Sequence, residues 1–381
     1  MPTFYEFFAG GGMARAGLGN QWSCLFANDI DVKKGSAYAA NWGAEKLVVR
    51  DVAKLSTSDI PESADLAWAS FPCQDLSLAG AGAGLNGERS GTFWHFWRLL
   101  MALDEEQRAP KIVALENVCG ALWSHDGKDF SAIGAALVKS GYRFGALVID
   151  AVHFVPQSRP RLFIIAVKNS VTVPGLLTMR EPDSIWHPPH LVRAYEKLPE
   201  KVKAAWFWWR LPVPPRRKST FSDLIEHEPQ GVAWHTPAET KRLLSMMSPL
   251  HLEKVEQAKR LGYRVVGGVY RRTRADKDGN RVQRAEVRLD DISGCLRTPV
   301  GGSSRQTILI VEGKNVRSRL LSPREAVRLM GLPDSYILPK NYNEAYHLAG
   351  DGVVVPVVRF LAKHLLEPIA RSGKNRKRQA A

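Results

Sequence analysis

Through the first part of the chain, short apolar runs alternate with stretches whose apolar positions recur at helical spacing, and beyond Val173 that alternation is lost. The runs at 3–8, 23–27, 46–49, 66–70, 111–115, 144–150 and 162–167 predict strands, and 13–18, 33–40, 92–103 and 130–139 predict helices between them. Strands alternating with helices build a doubly wound α/β domain around a mainly parallel sheet. In such sheets ligands bind beyond the carboxyl ends of the strands, so the residues that follow each strand are where chemistry is to be sought.

Past Val173 prolines cluster (Pro188, Pro189, Pro212, Pro214, Pro215) and tryptophans bunch at Trp206, Trp208 and Trp209, which marks the start of a second lobe. Its later part, 269–291, is rich in arginine and carries a turn signal, Asp278-Gly279-Asn280, between strand-like runs, so a hairpin facing a phosphate backbone is expected. Ser322-Pro323-Arg324-Glu325 starts a helix, with serine as cap and proline in the first turn, that runs to Met330. A last helix is expected over 354–366, then a frayed basic tail from Arg371.

Composition narrows the class. A chain that is 45% hydrophobic and 24% charged can bury a core and is neither disordered nor fibrous. No apolar run approaches the roughly 18–20 residues of a membrane span, and the N-terminus lacks the basic and apolar regions of a secretion signal, so a cytoplasmic protein is expected. A formal net charge of +15 suits a polyanionic partner, although a generally soluble basic surface would look the same. The four cysteines, Cys24, Cys73, Cys119 and Cys295, form no CxxC pair and no cluster at zinc spacing, so neither a disulfide framework nor a metal site is indicated.

The strand ends carry the candidate chemistry. The first runs into Phe8-Ala9-Gly10-Gly11-Gly12, where glycines allow a tight turn and close approach of a ligand, though many α/β loops have such a turn for packing alone. Asp29 closes the second strand at the distance in sequence where a carboxylate holds a ribose hydroxyl pair, and Asp51 follows the third; either could instead be a helix cap. Arg15 stands where the last glycine of a phosphate-binding G-x-G-x-x-G would be, so an adenosine cofactor without a pyrophosphate fits better.

Cysteine is among the most buried residue types, but Cys73 lies just past a buried strand and before a Gly/Ala/Ser loop, 76–91, of the kind that closes over a substrate. A thiolate there is a candidate nucleophile; Cys24, Cys119 and Cys295 lack that setting and read as structural. Glu116 ends an apolar strand, where an unpaired charge is costly, so it forms a salt bridge or holds a catalytic proton. Arg159 and Arg161 are two apart and would face one side of an extended chain, either as a solvated edge or as a fork of donors for a base carbonyl, a phosphate or Glu116.

In order, FFAGGG, FANDID, RDV, FPCQDLSLAG, LENV, PQSRPRLFIIAV, CLRTPVGGSSRQ and LSPREAVRLMGLPDSY with AGDGVVVPVV closely resemble the motifs of the C5-cytosine DNA methyltransferase family. The unmatched stretch, about 173–288, falls where that family carries its target recognition domain. The resemblance implies a Rossmann-like S-adenosylmethionine-dependent sheet over 1–172, a recognition domain over 173–320, a segment at 321–368 returning to the first domain and a tail at 369–381. It implies Cys73 as nucleophile at C6 of a flipped-out cytosine, Glu116 at N3 and the exocyclic amine, and Arg161, supported by Arg159, at O2. Phe8, Gly10, Gly12, Asp29, Ile30, Asp51, Val52, Pro72 and Asp351 would line the S-adenosylmethionine site, with no metal. Gln74, Ser77, Arg89 and Asn117, and Arg271, Arg272, Arg274, Arg281 and Arg284 of the hairpin, would contact double-stranded DNA. Asp351 departs from the family's usual asparagine, which puts a negative charge near Cys73 and Glu116 if it faces the pocket.

Two rival functions share these features: an RNA cytosine-5 methyltransferase on the same fold, and a catalytically silent DNA-binding regulator. The long second lobe argues against the first and the full catalytic set against the second. A monomer bound to the nucleoid through DNA is expected, with room for a cognate restriction endonuclease acting on the same site.

Overall fold

The computed structural model of the chain describes residues 1–72, 91–275, 279–298 and 305–372. The strands β1 (Thr3–Phe7), β2 (Ser23–Asp29), β3 (Leu47–Val49), β4 (Leu66–Ala69), β5 (Ile112–Val118), β6 (Tyr142–Asp150) and β7 (Pro160–Lys168) form one sheet in the order β3-β2-β1-β4-β5-β7-β6. Neighbours from β3 through β5 run parallel, whereas β7 is antiparallel to both β5 and β6. Chain order reverses between β1 and β4, which opens the crevice of a doubly wound sheet at the carboxyl ends of those two strands.

The helices α1 (Met13–Leu18), α2 (Val32–Trp42), α3 (Thr92–Glu105) and α4 (Lys128–Lys139) cover this sheet. In α3 the residues Phe93, Phe96, Trp97, Leu100 and Leu103 recur at three- and four-residue spacing and are all buried, which is why the segment is helical. The Phe96 ring meets Phe7 of β1 at 4.9 Å between centroids. Helix α2 begins where the Asp31 side chain accepts the Lys33 and Lys34 amides at 2.8 and 3.3 Å.

The Trp-rich segment, expected at the head of the second lobe, packs instead on this sheet. It contains β8 (Thr178–Met179), α5 (Pro189–Glu196), α6 (Glu200–Lys203) and β9 (Trp208–Trp209). Phe144 of β6 donates its amide to Ala205 O and accepts that of Phe207, so the segment covers the open edge of the last strand. Gly145 is required there, because a Cβ would stand 2.1 Å from the Phe207 carbonyl oxygen.

The second group of elements is α7 (Phe221–Leu224), α8 (Pro237–Ser245), α9 (Pro249–Leu261), β10 (Arg264–Ala275), β11 (Arg281–Arg288), β12 (Thr307–Glu312), β13 (Asn315–Leu320), α10 (Pro323–Arg328) and α11 (Tyr342–Asp351). Its strands form an antiparallel sheet in the order β11-β10-β12-β13. Leu243, Met247, Val255 and Ala258 of the α8–α9 region pack on Val269, Ala285, Val287, Leu309 and Val311. Ser322 caps α10 and forms a capping box with Glu325, whose carboxylate also holds the fully buried Arg319 at 2.6 Å.

Helix α12 (Val355–Leu361) is followed by a π-helical stretch, Ala362–Leu366, and helix continues to the last described residue. Helix α12 lies so close to α1 that a Cβ on Gly17 would be 2.4 Å from that of Val358. By compactness one unit comprises Met1–Asp150, Pro160–Pro214 and Val353–Ala381, and the other Ala151–Arg159 and Pro215–Gly352. These edges fall later in the chain than the 172 and 320 read from sequence, because the Trp-rich segment stays with the first sheet and α10 and α11 stay with the second.

Candidate active site

The carboxyl end of β5 carries Glu116-Asn117-Val118, and the ladder pairs Val118 with Arg161 and Glu116 with Phe163. Because β7 runs backward, Arg161 stands at its beginning yet at the rim where β5 ends. Side chains alternate along a strand, so Glu116, Val118 and Arg161 share one face. Arg161 Nε lies 3.3 Å from Glu116 Oε1, with both side chains largely buried. Cys119 is close by, and burial pushes its thiol up to about 11, which keeps it protonated and unreactive at neutral pH.

Asn117 is buried and donates its side-chain amide to the Phe71 carbonyl at 3.3 Å, while its Oδ1 accepts the Val118 amide at 2.8 Å. Its amide is thus spent within the protein, joining β5 to the segment after β4. Phe71 is buried and Pro72 exposed. Cys73, Gln74, Ser77 and Arg89 lie outside the described residues, so the proposed nucleophile and three expected DNA contacts are not placed.

Arg159 precedes β7, so the rule that residues two apart face the same side does not govern it. Its buried guanidinium donates to Leu296 O at 3.1 Å, to Gly350 O and Gly352 O at 2.8 Å each, and lies 3.2 Å from Cys295 Sγ. These contacts tie together two backbone segments, at Leu296 and at Gly350–Gly352.

Around β1 and β2 the expected crevice residues come together. Gly10 donates its amide to Asp29 Oδ2 at 2.7 Å, and Asp31 donates to Oδ1 at 2.8 Å. Burial raises the Asp29 carboxyl above its usual range. Phe8, Gly10 and Gly12 all have positive φ, and a Cβ on Gly10 would meet nothing within 4 Å, so the backbone beside Asp29 is open to a ligand. Gly12 is closed in by Trp42, whose indole donates to Gly11 O at 3.0 Å. Arg50 donates its amide to Asp29 O, which brings Asp51 to the same rim, where it caps a short turn over the buried Val52. Ile30 is exposed beside them. Asp351 is exposed at the last residue of α11.

Glu6 escaped the sequence reading. It is buried in β1, accepts the Arg15 amide at 3.1 Å, and desolvation pushes its carboxyl up to about 8. A carboxylate in the middle of the apolar run TFYEFF was the available signal.

The arginines of the second unit stand on β10 and β11, where Arg271, Arg272, Arg281 and Arg284 are exposed; the side chain of Arg274 is outside the description.

The model of the C-5 cytosine-specific DNA methylases matches residues 2–367. The chain belongs to that family. It is 24% identical to the Type II methyltransferase M.HhaI of Haemophilus parahaemolyticus, with 95% of this chain and 93% of that protein covered. It is 27% identical to M.NlaX of Neisseria lactamica, with 96% of each covered. The S. pombe Dnmt2 methyltransferase structure shares the fold, with a TM-score of 0.59 at 18% identity over 97% of this chain and 99% of that one. The protein is therefore a DNA (cytosine-5-)-methyltransferase with S-adenosylmethionine as methyl donor. The open Gly10 backbone and the buried Asp29 carboxylate fit such a nucleoside cofactor. No helix among the described residues is long and apolar enough to cross a membrane.

Proposed function

We propose that this methyltransferase acts on a cytosine turned out of the duplex and bound covalently through Cys73. The target carbon is stacked inside DNA, so the nucleotide must leave the helix at a cost of a few kcal/mol. The Cys73 thiolate adds to C6, a Cys73–C6 bond forms, and the ring electrons move toward C5. Glu116 holds a proton at N3 and accepts from the exocyclic amine, while Arg161 donates to O2, so charge developing on the ring is neutralised. Asp29, Asp51 and the Phe8–Gly12 turn would hold S-adenosylmethionine, which when bound would supply the methyl group for C5 and leave as S-adenosylhomocysteine. A base takes the C5 proton, the electrons return, and the Cys73–C6 bond breaks to restore the thiolate. The second unit reads the sequence around the target. The Type II names of the relatives support a further reading, that the mark guards the site against a companion endonuclease.

The observation that carries this reading is the largely buried Glu116–Arg161 pair at the rim of β5. Duplex DNA containing 5-fluorocytosine tests it, because fluorine in place of the C5 proton blocks the final elimination. Wild type should leave a protein–DNA adduct that survives denaturation, and Cys73→Ala should leave none. Equal behaviour of the two proteins would remove Cys73 from the mechanism. Bisulfite sequencing of DNA from cells expressing the chain then gives the recognition site.

A further inference from the structure

Strands β10 and β11 pair from Gly268↔Arg288 out to Ala275↔Arg281, whereas β12 accompanies β10 only as far as Val269↔Thr307. From Tyr270 outward β12 no longer accompanies the two strands, and apart from a bridge between Met247 and Ala285 no other segment pairs with them among the described residues. At about 3.4 Å per residue, the stretch Tyr270–Ala275 extends for roughly 20 Å. The major groove of duplex DNA is about 12 Å wide and admits such a two-stranded ribbon.

The register sorts the arginines onto two faces. On one, Arg271 faces Ala285, Thr273 faces Gln283 and Arg281 faces Ala275, so no two cations oppose each other. On the other, Arg272 stands directly across from Arg284. Opposed side chains have Cβ atoms about 4.5–5.5 Å apart, and like charges in that position destabilise a sheet. Both arginines are exposed. Glu286 lies 3.4 Å from Arg272, but Arg284 has no carboxylate partner among the described residues. One carboxylate thus serves two opposed cations, which leaves the Arg284 charge for a polyanion to compensate.

We propose that the Arg272–Arg284 face of the ribbon lies against the duplex, with both guanidinium groups on backbone phosphates, while Arg271 and Arg281 stay in solvent. This rests on the DNA methyltransferase reading and divides a group of arginines that the sequence leaves equivalent.

Two double variants remove the same charge from opposite faces: Arg272→Ala with Arg284→Ala, and Arg271→Ala with Arg281→Ala. Binding of the full-length proteins to a labelled duplex is followed by fluorescence anisotropy across a salt series. Loss of two phosphate contacts should lower the slope of log K against log salt by about 1.8 for the first variant, and weaken binding at least about tenfold at low salt. The second should move the slope by less than half of that. Both variants should melt close to wild type, because all four positions are exposed. Equal losses from the two variants, or a larger loss from the second, would overturn the assignment. If wild type methylates duplex DNA while the two variants behave alike, only the face assignment falls. If wild type neither binds nor methylates duplex DNA, the underlying reading falls with it.

Discussion

Arg161 Nε stands 3.3 Å from Glu116 Oε1, and the two reach each other diagonally across strands that run in opposite directions. The pair is largely buried, so losing either partner strands a charge. Glu116→Gln keeps the shape but cannot exchange a proton, and turnover should fall by about two to four orders of magnitude, with S-adenosylhomocysteine affinity within about twofold of wild type. Arg161→Lys should cost about a hundredfold, because an ammonium lacks the planar fork. Single-turnover methyl transfer beside calorimetric cofactor titration checks both; a parallel loss of cofactor affinity would point to general damage.

Asp29 receives two backbone amides and is expected to receive the ribose hydroxyls as well. Asp29→Ala should weaken S-adenosylhomocysteine binding by about ten- to a hundredfold, the worth of one or two hydrogen bonds to a charged group. Titration calorimetry reads this directly, and unchanged affinity would move the ribose elsewhere.

Arg159 is a structural tie, and its loss should show in stability before it shows in chemistry. Arg159→Leu leaves the carbonyls of Leu296, Gly350 and Gly352 without their donor. The cost should be about 3 kcal/mol or more, and thermal melting should show a clearly lower transition than for wild type. Normal melting with abolished turnover would restore a catalytic part.

Glu6 gives a pH dependence with a definite sign. Its carboxyl is pushed up to about 8 by burial, against about 4.3 in an unfolded chain. Between those values the folded protein keeps a proton that the unfolded chain has released, so this group's contribution is complete below about 4.3 and is lost as pH rises through about 8. Chemical denaturation from pH 5 to 9 should show wild type losing stability relative to Glu6→Gln, by up to roughly 1 kcal/mol per pH unit. A difference that does not change with pH would contradict the buried, protonated state.

The first sheet is legible because its central strands are buried on both faces and read as apolar runs; all seven strands are expected within a few residues of their observed bounds. Glu116, Asp29 and Gly10 are proposed from sequence because the exits of parallel strands point at the crevice by topology alone. Arg159 could not be separated from Arg161, since the bend before Pro160 that sends them to different partners leaves no trace in residue spacing. Helices α8 and α9 were passed over although Thr236-Pro237 and Ser248-Pro249 start them, because few of their residues are apolar and the pattern is faint. The Trp-rich segment was assigned to the wrong side of a boundary because composition changes there while packing does not.

The reversed β7 has a consequence for how much the neighbouring chain can vary. Groups at the exits of parallel strands are followed by loops whose length decides what comes next, whereas Arg161 stands at the start of its own strand and is anchored by the ladder on both sides. Residues inserted or lost before it need not change its register, so the cation is insulated from drift in the stretch that precedes it.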